Sequence, residues 1–391
     1  MSSNNYKHIT QRDYYTVAGP DWPSFVDFQH HVDIPDFVYN EIDQMLAEPV
    51  PFYHPSFCVL PFYGWEYPLA TACCLLPKNH DLAKIKTDML EGIRPKDCAK
   101  CWDLEDRRIK SDRQLKNETL DFYLDKNIQD LFEDCKQSKN SPMHYKIDTS
   151  NTCNAACVTC NSKDSSTWGQ LLKKNKQAQH RNWQILPHSI DQKINYTTAK
   201  LITFRGGEPL LSKINFHILE QLIKADNTNC FISFQTNGSI TPTADQEQIL
   251  THFKNLNFSF SIDGVGPVFE YLRYPLKWKD IEKTMSWCRQ RNIHISANYT
   301  VSNLNVFYHQ KTKSWFDKNN INYLTNLVYD PAWFRPSTLP KVVKDQIDFN
   351  FVDHDQDQKN YAVFRKKIVE QDSWKGIALK DYLPELSNLL D

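Results

Sequence analysis

From about residue 143, six short β-rich runs alternate with helical stretches, and this alternation limits the fold more than any other feature of the chain. Helical periodicity separates most of the runs, as in Ile214–Ala225, Ile281–Arg291 and Val306–Asp317. Strands separated by helices favour a parallel sheet with right-handed crossovers, so six βα units predict an open, partial barrel. Ligands of such sheets gather at the carboxyl ends of the strands. The predicted strands are Tyr145–Thr149, Leu201–Phe204, Phe231–Gln235, Phe258–Ile262, Ile293–Thr300 and Tyr323–Tyr329.

The residues before the barrel have a different character, and we predict a separate domain there. Residues 51–80 are rich in aromatic residues and proline, which favours short strands and turns. Beyond the barrel the tail is mixed and is expected to end in a short helix after Pro384. Helices of the first region are predicted at Asp36–Leu46, 81–91 and 103–137. The predicted domains are 1–140, 141–335 and 336–391.

Composition excludes several classes of partner. The 391 residues carry a net charge of −1, which argues against nucleic acid or an anionic membrane as a partner. The apolar runs are far shorter than a membrane span, and the polar N-terminus lacks the apolar core of a secretory signal. We therefore expect a cytoplasmic protein. In that compartment the 11 cysteines are expected as metal ligands or core thiols rather than as disulfides.

Three cysteines follow the first predicted barrel strand, where Cys153, Cys157 and Cys160 form a CxxxCxxC segment. Thiolates are ligands of iron–sulfur clusters and of zinc. Three thiolates can each hold one iron of a cubane and leave the fourth iron open, whereas a structural zinc site is normally closed by four ligands. The triad by itself favours a cluster. Zinc remains the alternative, with Cys135 or a histidine as its fourth ligand.

Three further motifs follow at the ends of later strands, in the order GGEP, TNG and SxDG. The chain has only 10 glycines, so glycines at these ends predict close backbone approach to a ligand. Taken singly, GGEP and TNG are also compatible with ordinary turns. The segments are Gly206-Gly207-Glu208-Pro209, Thr236-Asn237-Gly238 and Ser261-Ile262-Asp263-Gly264.

Together with the cysteine triad, these motifs resemble the radical S-adenosylmethionine (radical SAM) superfamily over roughly residues 143–330. The resemblance implies a [4Fe-4S] cluster on Cys153, Cys157 and Cys160, with S-adenosylmethionine chelated to the open iron. The reduced cluster then cleaves the cofactor to a 5′-deoxyadenosyl radical, which abstracts hydrogen from a substrate. An enzyme is expected, served by a low-potential electron donor such as a ferredoxin or flavodoxin.

The resemblance also implies how the cofactor is bound. Glu208 is expected to accept hydrogen bonds from the amino group of the cofactor, and Gly206 and Gly207 permit the approach. Ser261 and Asp263 offer short polar groups that suit the ribose hydroxyls.

Four other residues have weaker signals. Asn237 is a further cofactor-binding candidate. Arg273 suits either the cofactor carboxylate or a structural ion pair. Asn154 is expected to fix the cysteine segment by local hydrogen bonding. Trp168 is expected in the core.

Five more cysteines lie between residues 58 and 101. Their pattern resembles the twitch domain, a shortened relative of the SPASM domain that carries an auxiliary iron–sulfur cluster, here preceding the barrel at about 51–110. A four-cysteine zinc site is the alternative. The fold implied is therefore α/β, a partial (β/α)6 radical SAM barrel with a small N-terminal α+β twitch-like domain. The predicted ligands are Cys58, Cys74, Cys98 and Cys101, with Cys73 as the alternative to Cys74.

Relatives with twitch or SPASM domains often modify peptides or proteins, so the resemblance implies a peptide or protein substrate. Sugars and small metabolites are the alternatives. A non-catalytic zinc- or iron–sulfur-binding interaction protein on the same scaffold is the second functional hypothesis. The motifs GGEP and SIDG in series argue against it, because such a scaffold needs no acceptor for a cofactor amino group.

Overall fold

The computed structural model describes residues 55–69, 71–73, 75–77, 79–106, 111–124, 126–328, 330–351 and 356–390. The chain divides into two compact units. Unit 1 spans residues up to Tyr63 and from Leu75 to Ser141, and unit 2 spans Gly64–Cys74 and Pro142–Asp391. The helix predicted at Asp36–Leu46 and the predicted ligand Cys74 lie outside the described residues.

Unit 1 is helical in its described part. The helix predicted over 103–137 is in fact three helices, because two polar side chains begin new helices inside it: Ser111 accepts a hydrogen bond from the Gln114 backbone, and Asn127 accepts one from the Asp130 backbone. The helices are α1 (Leu60–Tyr63), α2 (Leu82–Leu90), α3 (Ala99–Asp106), α4 (Asp112–Leu124) and α5 (Ile128–Lys136).

Unit 2 is built on seven parallel strands, each hydrogen-bonded to the next in chain order. The predicted α/β fold with a partial barrel is confirmed, with one strand more than the six expected. The sequence does not set the first strand apart, because its four residues are too few for a clear pattern and lie in a stretch rich in aromatic residues. The strands are β1 (Gly64–Tyr67), β2 (His144–Asp148), β3 (Leu201–Arg205), β4 (Phe231–Thr236), β5 (Leu256–Ser261), β6 (His294–Val301) and β7 (Asn322–Leu327).

Helices follow most of these strands and fill the tail. The expected helix after Pro384 is confirmed, but the tail also holds a 19-residue helix that periodicity did not predict. Its buried stripe runs from Phe364 and Ile368 into the polar residues Gln371 and Lys375, so no apolar face is visible in the sequence. The helices are α6 (Ser166–Lys174), α7 (Pro187–Asp191), α8 (Lys213–Lys224), α9 (Ala244–Leu250), α10 (Pro267–Leu272), α11 (Trp278–Gln290), α12 (His309–Lys318), α13 (Lys341–Lys344), α14 (Asp357–Lys375), α15 (Leu379–Tyr382) and α16 (Pro384–Leu390).

The two faces of the sheet differ in chemistry because side chains alternate along each strand. One face, the aromatic face, packs rings in a row across three strands, with centroids of Phe204 and Phe234 at 5.1 Å and of Phe234 and Phe258 at 5.3 Å. The opposite polar face carries hydroxyl and amide groups at paired positions, as in the row Thr203, Ser233 and Asn257.

Candidate active site

The three cysteines of the triad lie on the cysteine loop, residues 149–165, which joins β2 to α6 at the carboxyl end of the sheet. Backbone hydrogen bonds tie this loop to the end of α10: the Ala156 N–H donates to the Tyr274 carbonyl at 2.6 Å, and the Val158 N–H donates to the Leu272 carbonyl at 2.8 Å. The Cys153 N–H donates to Ser166 Oγ at 3.0 Å. Protein groups therefore fix the loop that presents the thiols.

Two side chains hold the loop carbonyls next to the second and third cysteines. Trp168 Nε1 donates to the Cys157 carbonyl at 2.8 Å, and its ring is 3% exposed, which confirms the predicted core position. Gln371 Nε2 of α14 donates to the Val158 carbonyl at 3.2 Å. The unpredicted helix of the tail is therefore part of the support of the loop.

The GGEP turn after β3 is fastened directly to the start of the cysteine loop. The Gly207 N–H donates to the Ser150 carbonyl at 2.9 Å and the Glu208 N–H to the Thr152 carbonyl at 2.8 Å. A Cβ on Gly207 would lie 2.2 Å from the Thr152 carbonyl oxygen, and Gly206 has a φ of +99°. The close approach that these glycines allow is thus to the loop backbone.

Glu208 is buried and is held by three protein donors. Its Oε1 accepts from Thr236 Oγ1 at 2.7 Å and from the Leu210 N–H at 3.1 Å, and its Oε2 accepts from the Asn237 N–H at 2.8 Å. Burial raises the pKa of Glu208 to about 7, although these hydrogen bonds oppose the rise. Because Oε2 accepts only one of these bonds, it keeps capacity for a second donor.

Asn154 and Asn237 are connected to each other across the site. Asn237 Nδ2 donates to Asn154 Oδ1 at 2.8 Å, and Asn154 Nδ2 donates to Ser239 Oγ at 2.9 Å. The local hydrogen bonding predicted for Asn154 is therefore wrong, since its partners follow β4. Asn237, predicted to bind the cofactor, is committed to the loop through this amide pair.

Asp263 and Arg273 form a buried ion pair beside the triad. Arg273 Nη2 lies 2.8 Å from Asp263 Oδ2, and its Nη1 lies 3.8 Å from Cys157 Sγ. The ion pair expected under the structural alternative for Arg273 is present, and the role of Arg273 in cofactor binding stays a prediction. Asp263 also accepts from the Thr300 N–H at 3.1 Å, so its carboxylate has two protein donors. Ser261 ends β5, in register with Asn298.

All three thiols of the triad are partly buried, which disfavours their charged form. Burial raises the pKa of Cys153 to about 12 and also raises the pKa of Cys160. Burial raises the pKa of Cys157 as well, but the nearby cations Arg273 and Lys375 oppose the rise. Since a metal takes the thiolate, loading of this site must release protons.

The residues present fit the group that the family resemblance implies. Three thiols on one fixed loop match the ligand set of a cubane with an open iron. A carboxylate with spare acceptor capacity suits an ammonium group, and within the described residues the buried Arg273 Nε has no hydrogen-bond partner. No three His, Cys, Asp or Glu side chains among the described residues are placed to hold a single metal ion. A cubane does not need such convergence, because each thiolate binds a different iron.

Unit 1 contains a second group of thiols, Cys58, Cys98 and Cys101, here called the unit 1 thiols. Burial raises the pKa of Cys58 and of Cys98 to about 12, and the charge of Cys101 adds to the rise at both thiols. The third, Cys101, accepts a hydrogen bond from the backbone of Arg113. Cys73 belongs to unit 2. The four-ligand set predicted with Cys74 therefore stays a prediction.

Comparison with known proteins agrees with the motifs. Residues 147–312 match the model of the Radical SAM superfamily. This stretch contains the triad and the GGEP, TNG and SIDG segments. The matched residues make up less than half of the chain. In the described ranges, no helix combines the length and apolar character needed to cross a membrane.

Individual relatives are more distant. A protein described as "Uncharacterized protein MJ0907" from Methanocaldococcus jannaschii is 28% identical over 176 residues, covering 42% of this chain and 55% of the relative. The chain thus spans about half the length of this relative. A solved structure of anSMEcpe with bound AdoMet is 18% identical with a TM-score of 0.40, over 61% of this chain and 63% of the other. Streptococcus suis SuiB bound to S-adenosylmethionine is 14% identical with a TM-score of 0.40, over 78% and 66%.

Proposed function

We propose that this chain is a radical SAM enzyme that binds a [4Fe-4S] cluster at Cys153, Cys157 and Cys160 and cleaves S-adenosylmethionine reductively. One observation carries the proposal: the motifs of the superfamily are physically joined at one edge of the sheet. GGEP is hydrogen-bonded to the cysteine loop through Ser150 and Thr152. The TNG segment is hydrogen-bonded to Glu208 and to Asn154 of the loop.

The chain's own groups would do three things for this chemistry. When bound, the cluster and S-adenosylmethionine supply one-electron chemistry that leads to removal of a hydrogen atom from a substrate. Glu208 would bind an ammonium group, for which its negative form is required, and the GGEP turn holds it in place. Arg273 would attract a carboxylate through its unsatisfied Nε. The buried setting of both side chains strengthens such interactions.

The proposal is tested by anaerobic reconstitution of the full chain. Iron, sulfide and zinc are measured, and 5′-deoxyadenosine is then sought after addition of S-adenosylmethionine and dithionite. Wild type is expected to form it, and Cys153→Ala, Cys157→Ala and Cys160→Ala each to lose at least a hundredfold of the rate. Cys288→Ala, a buried thiol on α11, is the matched control. A fully loaded wild type that forms no 5′-deoxyadenosine would contradict the proposal.

We further propose that the unit 1 thiols are ligands of an auxiliary iron–sulfur cluster in a twitch-like domain. The support is that Cys98 and Cys101 are close enough to Cys58 for their charges to raise its pKa. Changing all three to alanine should remove one cluster's worth of iron and leave the cluster of the triad. Zinc in proportion to the chain, lost in the same variant, would instead assign this region to a zinc site.

A peptide or protein is the proposed substrate class, and a ferredoxin or flavodoxin the proposed donor. The hydroxyl and amide groups of the polar face suit hydrogen bonding to a peptide backbone. The check is whether a peptide library raises 5′-deoxyadenosine formation above the substrate-free rate. Stimulation by sugars alone would redirect the proposal to that class. A reduced flavodoxin that does not replace dithionite, tested beside a ferredoxin, would exclude it as the donor.

A further inference from the structure

Lys375 is a buried cation behind the cysteine loop that none of the superfamily motifs includes. It lies at the end of α14, and only 6% of the residue is exposed. Its Nζ donates to Gln371 Oε1 at 3.1 Å and lies 4.9 Å from the centre of the Trp168 ring. Both neighbours hold the loop, because Gln371 donates to the Val158 carbonyl and Trp168 to the Cys157 carbonyl. Lys375 therefore contacts two side chains that each donate a hydrogen bond to a backbone carbonyl in the segment from Cys157 to Cys160.

The charge of Lys375 is not cancelled by an ion pair within the described residues. The nearest carboxylate on the same helix, Asp372, accepts from the Tyr271 hydroxyl at 2.9 Å and from the Leu379 N–H at 2.8 Å. The other cation near the triad, Arg273, is paired with Asp263. The two cations thus differ in their partners. Arg273 acts on the thiols with a carboxylate bonded to it, whereas Lys375 acts on them without one. Its influence extends to Cys157 and Cys160.

We infer that Lys375 is a positioning residue that sets the reduction potential of the cluster at the triad. A cation buried beside a cluster favours the form with one more electron, and a low-dielectric setting weakens this effect less than water does. The cation–π contact with Trp168 and the hydrogen bond to Gln371 keep the ammonium group in the interior. The inference rests on the proposed cluster and adds a role for the tail of the chain.

The experiment is a redox titration of the reconstituted full chain, monitored by electron paramagnetic resonance. The signal measured is that of the reduced cluster that responds to S-adenosylmethionine. Lys375→Met removes the charge and keeps most of the volume. At the midpoint potential of wild type, the ratio of reduced to oxidised cluster in Lys375→Met should be about tenfold lower than in wild type. This equals a shift of about 59 mV for one electron. Lys375→Arg keeps the charge and should stay near the wild-type midpoint.

Lys366→Met is the matched control, because it removes the same charge from an exposed position on the same helix. Its midpoint should equal that of wild type. A loaded Lys375→Met protein with the wild-type midpoint would overturn the inference. If that variant does not fold, Lys375→Gln, which retains a polar group for Gln371, is measured by the same criterion. A wild type that assembles no such cluster would contradict the proposed function itself, so the two failures are distinguishable.

Discussion

The cysteine loop of unit 2 and the unit 1 thiols differ in what holds them in place. The cysteine loop is tied by its backbone to α10, to α6 and to the GGEP turn, so its path does not depend on its thiols. In unit 1, Cys98 lies just before α3 and Cys101 lies on it, and a buried ion pair joins Glu105 of α3 to Arg113 of α4. Backbone geometry thus holds the cysteine loop, and we expect charge to hold the unit 1 thiols.

The largest expected effect tests the charge-held side of this comparison. Arg113 and Glu105 are 7% and 8% exposed, with Nε and Nη2 of the arginine on the two carboxylate oxygens at 2.9 and 2.7 Å. Arg113→Met leaves the buried Glu105 carboxylate without its cation, with the Ser111 hydroxyl still donating to it, and should lower the free energy of unfolding of unit 1 by up to about 5 kcal/mol. Urea unfolding, followed for the full chain, measures it.

Arg94→Met is the matched control for Arg113→Met. Like Arg113, Arg94 lies over the Trp102 ring and pairs with an acid, in this case Asp106. The side chains of Arg94 and Asp106 are 53% and 62% exposed. The change should cost within about 1 kcal/mol. Equal losses in the two variants would show that the buried ion pair is not what orders unit 1.

The next effect tests the backbone-held side. Gly207→Ala places a Cβ 2.2 Å from the Thr152 carbonyl oxygen, where only backbone displacement can relieve the clash. The cost should be about 4 kcal/mol, and iron at the triad should be lost while the unit 1 thiols keep theirs. In Gly169→Ala, the control, the nearest contact is 3.6 Å, and the helix should gain up to about 1 kcal/mol. A stable, loaded Gly207→Ala protein would refute geometric fixation of the loop.

The pH dependence of stability is a second test of the backbone-held region, through Glu208 of the GGEP turn. Burial raises the pKa of Glu208 from 4.5 to about 7, so the folded state binds more protons than the unfolded state between these values. The free energy of unfolding therefore falls as pH rises through this window, by about 3 kcal/mol from this group. Glu208→Gln should lack this fall, measured by urea unfolding of metal-free protein across the window. The exposed Glu220→Gln should keep the wild-type profile, and identical profiles for all three proteins would contradict the assignment.

The smallest effect concerns the amide pair that joins the loop to the TNG segment. A double-mutant cycle of Asn154→Ala and Asn237→Ala should give a coupling energy of about 1 kcal/mol. The cycle of Asn161→Ala with Asn237→Ala is the control, because Asn161 bonds locally to Asp164, and its coupling should stay within about 0.5 kcal/mol. Equal coupling in both cycles would mean that the amide pair does not fasten the loop.

The sequence predicted what depends on local order along the chain. The triad, the glycine motifs and the alternation of strands and helices are periodic or contiguous, and the parallel sheet follows from them. The sequence did not indicate which partners meet across the fold. Asp263 and Arg273 were separate candidates for the cofactor, yet they pair with each other, and Asn154 binds residues after β4.

The tail shows a different limit of sequence reasoning. A helix is recognised by an apolar stripe, and α14 continues its buried stripe with Gln371 and Lys375. Because Gln371 and Lys375 are polar, the buried face of α14 has no continuous apolar pattern in the sequence. In the structure the same two residues are joined to each other, and Gln371 is hydrogen-bonded to the cysteine loop. Similarly, β1 is recognised by its pairing with β2, at Trp65 and Tyr145, because its own alternation spans only four residues.

The two-faced sheet has a consequence for the radical chemistry of the proposed function. Tyrosine and cysteine side chains give up a hydrogen atom readily, because their O–H and S–H bonds are weaker than those of aliphatic hydroxyls and amides. Toward the carboxyl ends of the strands, the polar face presents groups of the resistant kind, including Ser259, Ser261 and Asn298, while Tyr145 and Tyr299 are buried on the aromatic face. A radical generated over this part of the polar face would therefore not face the weak O–H bonds of Tyr145 and Tyr299.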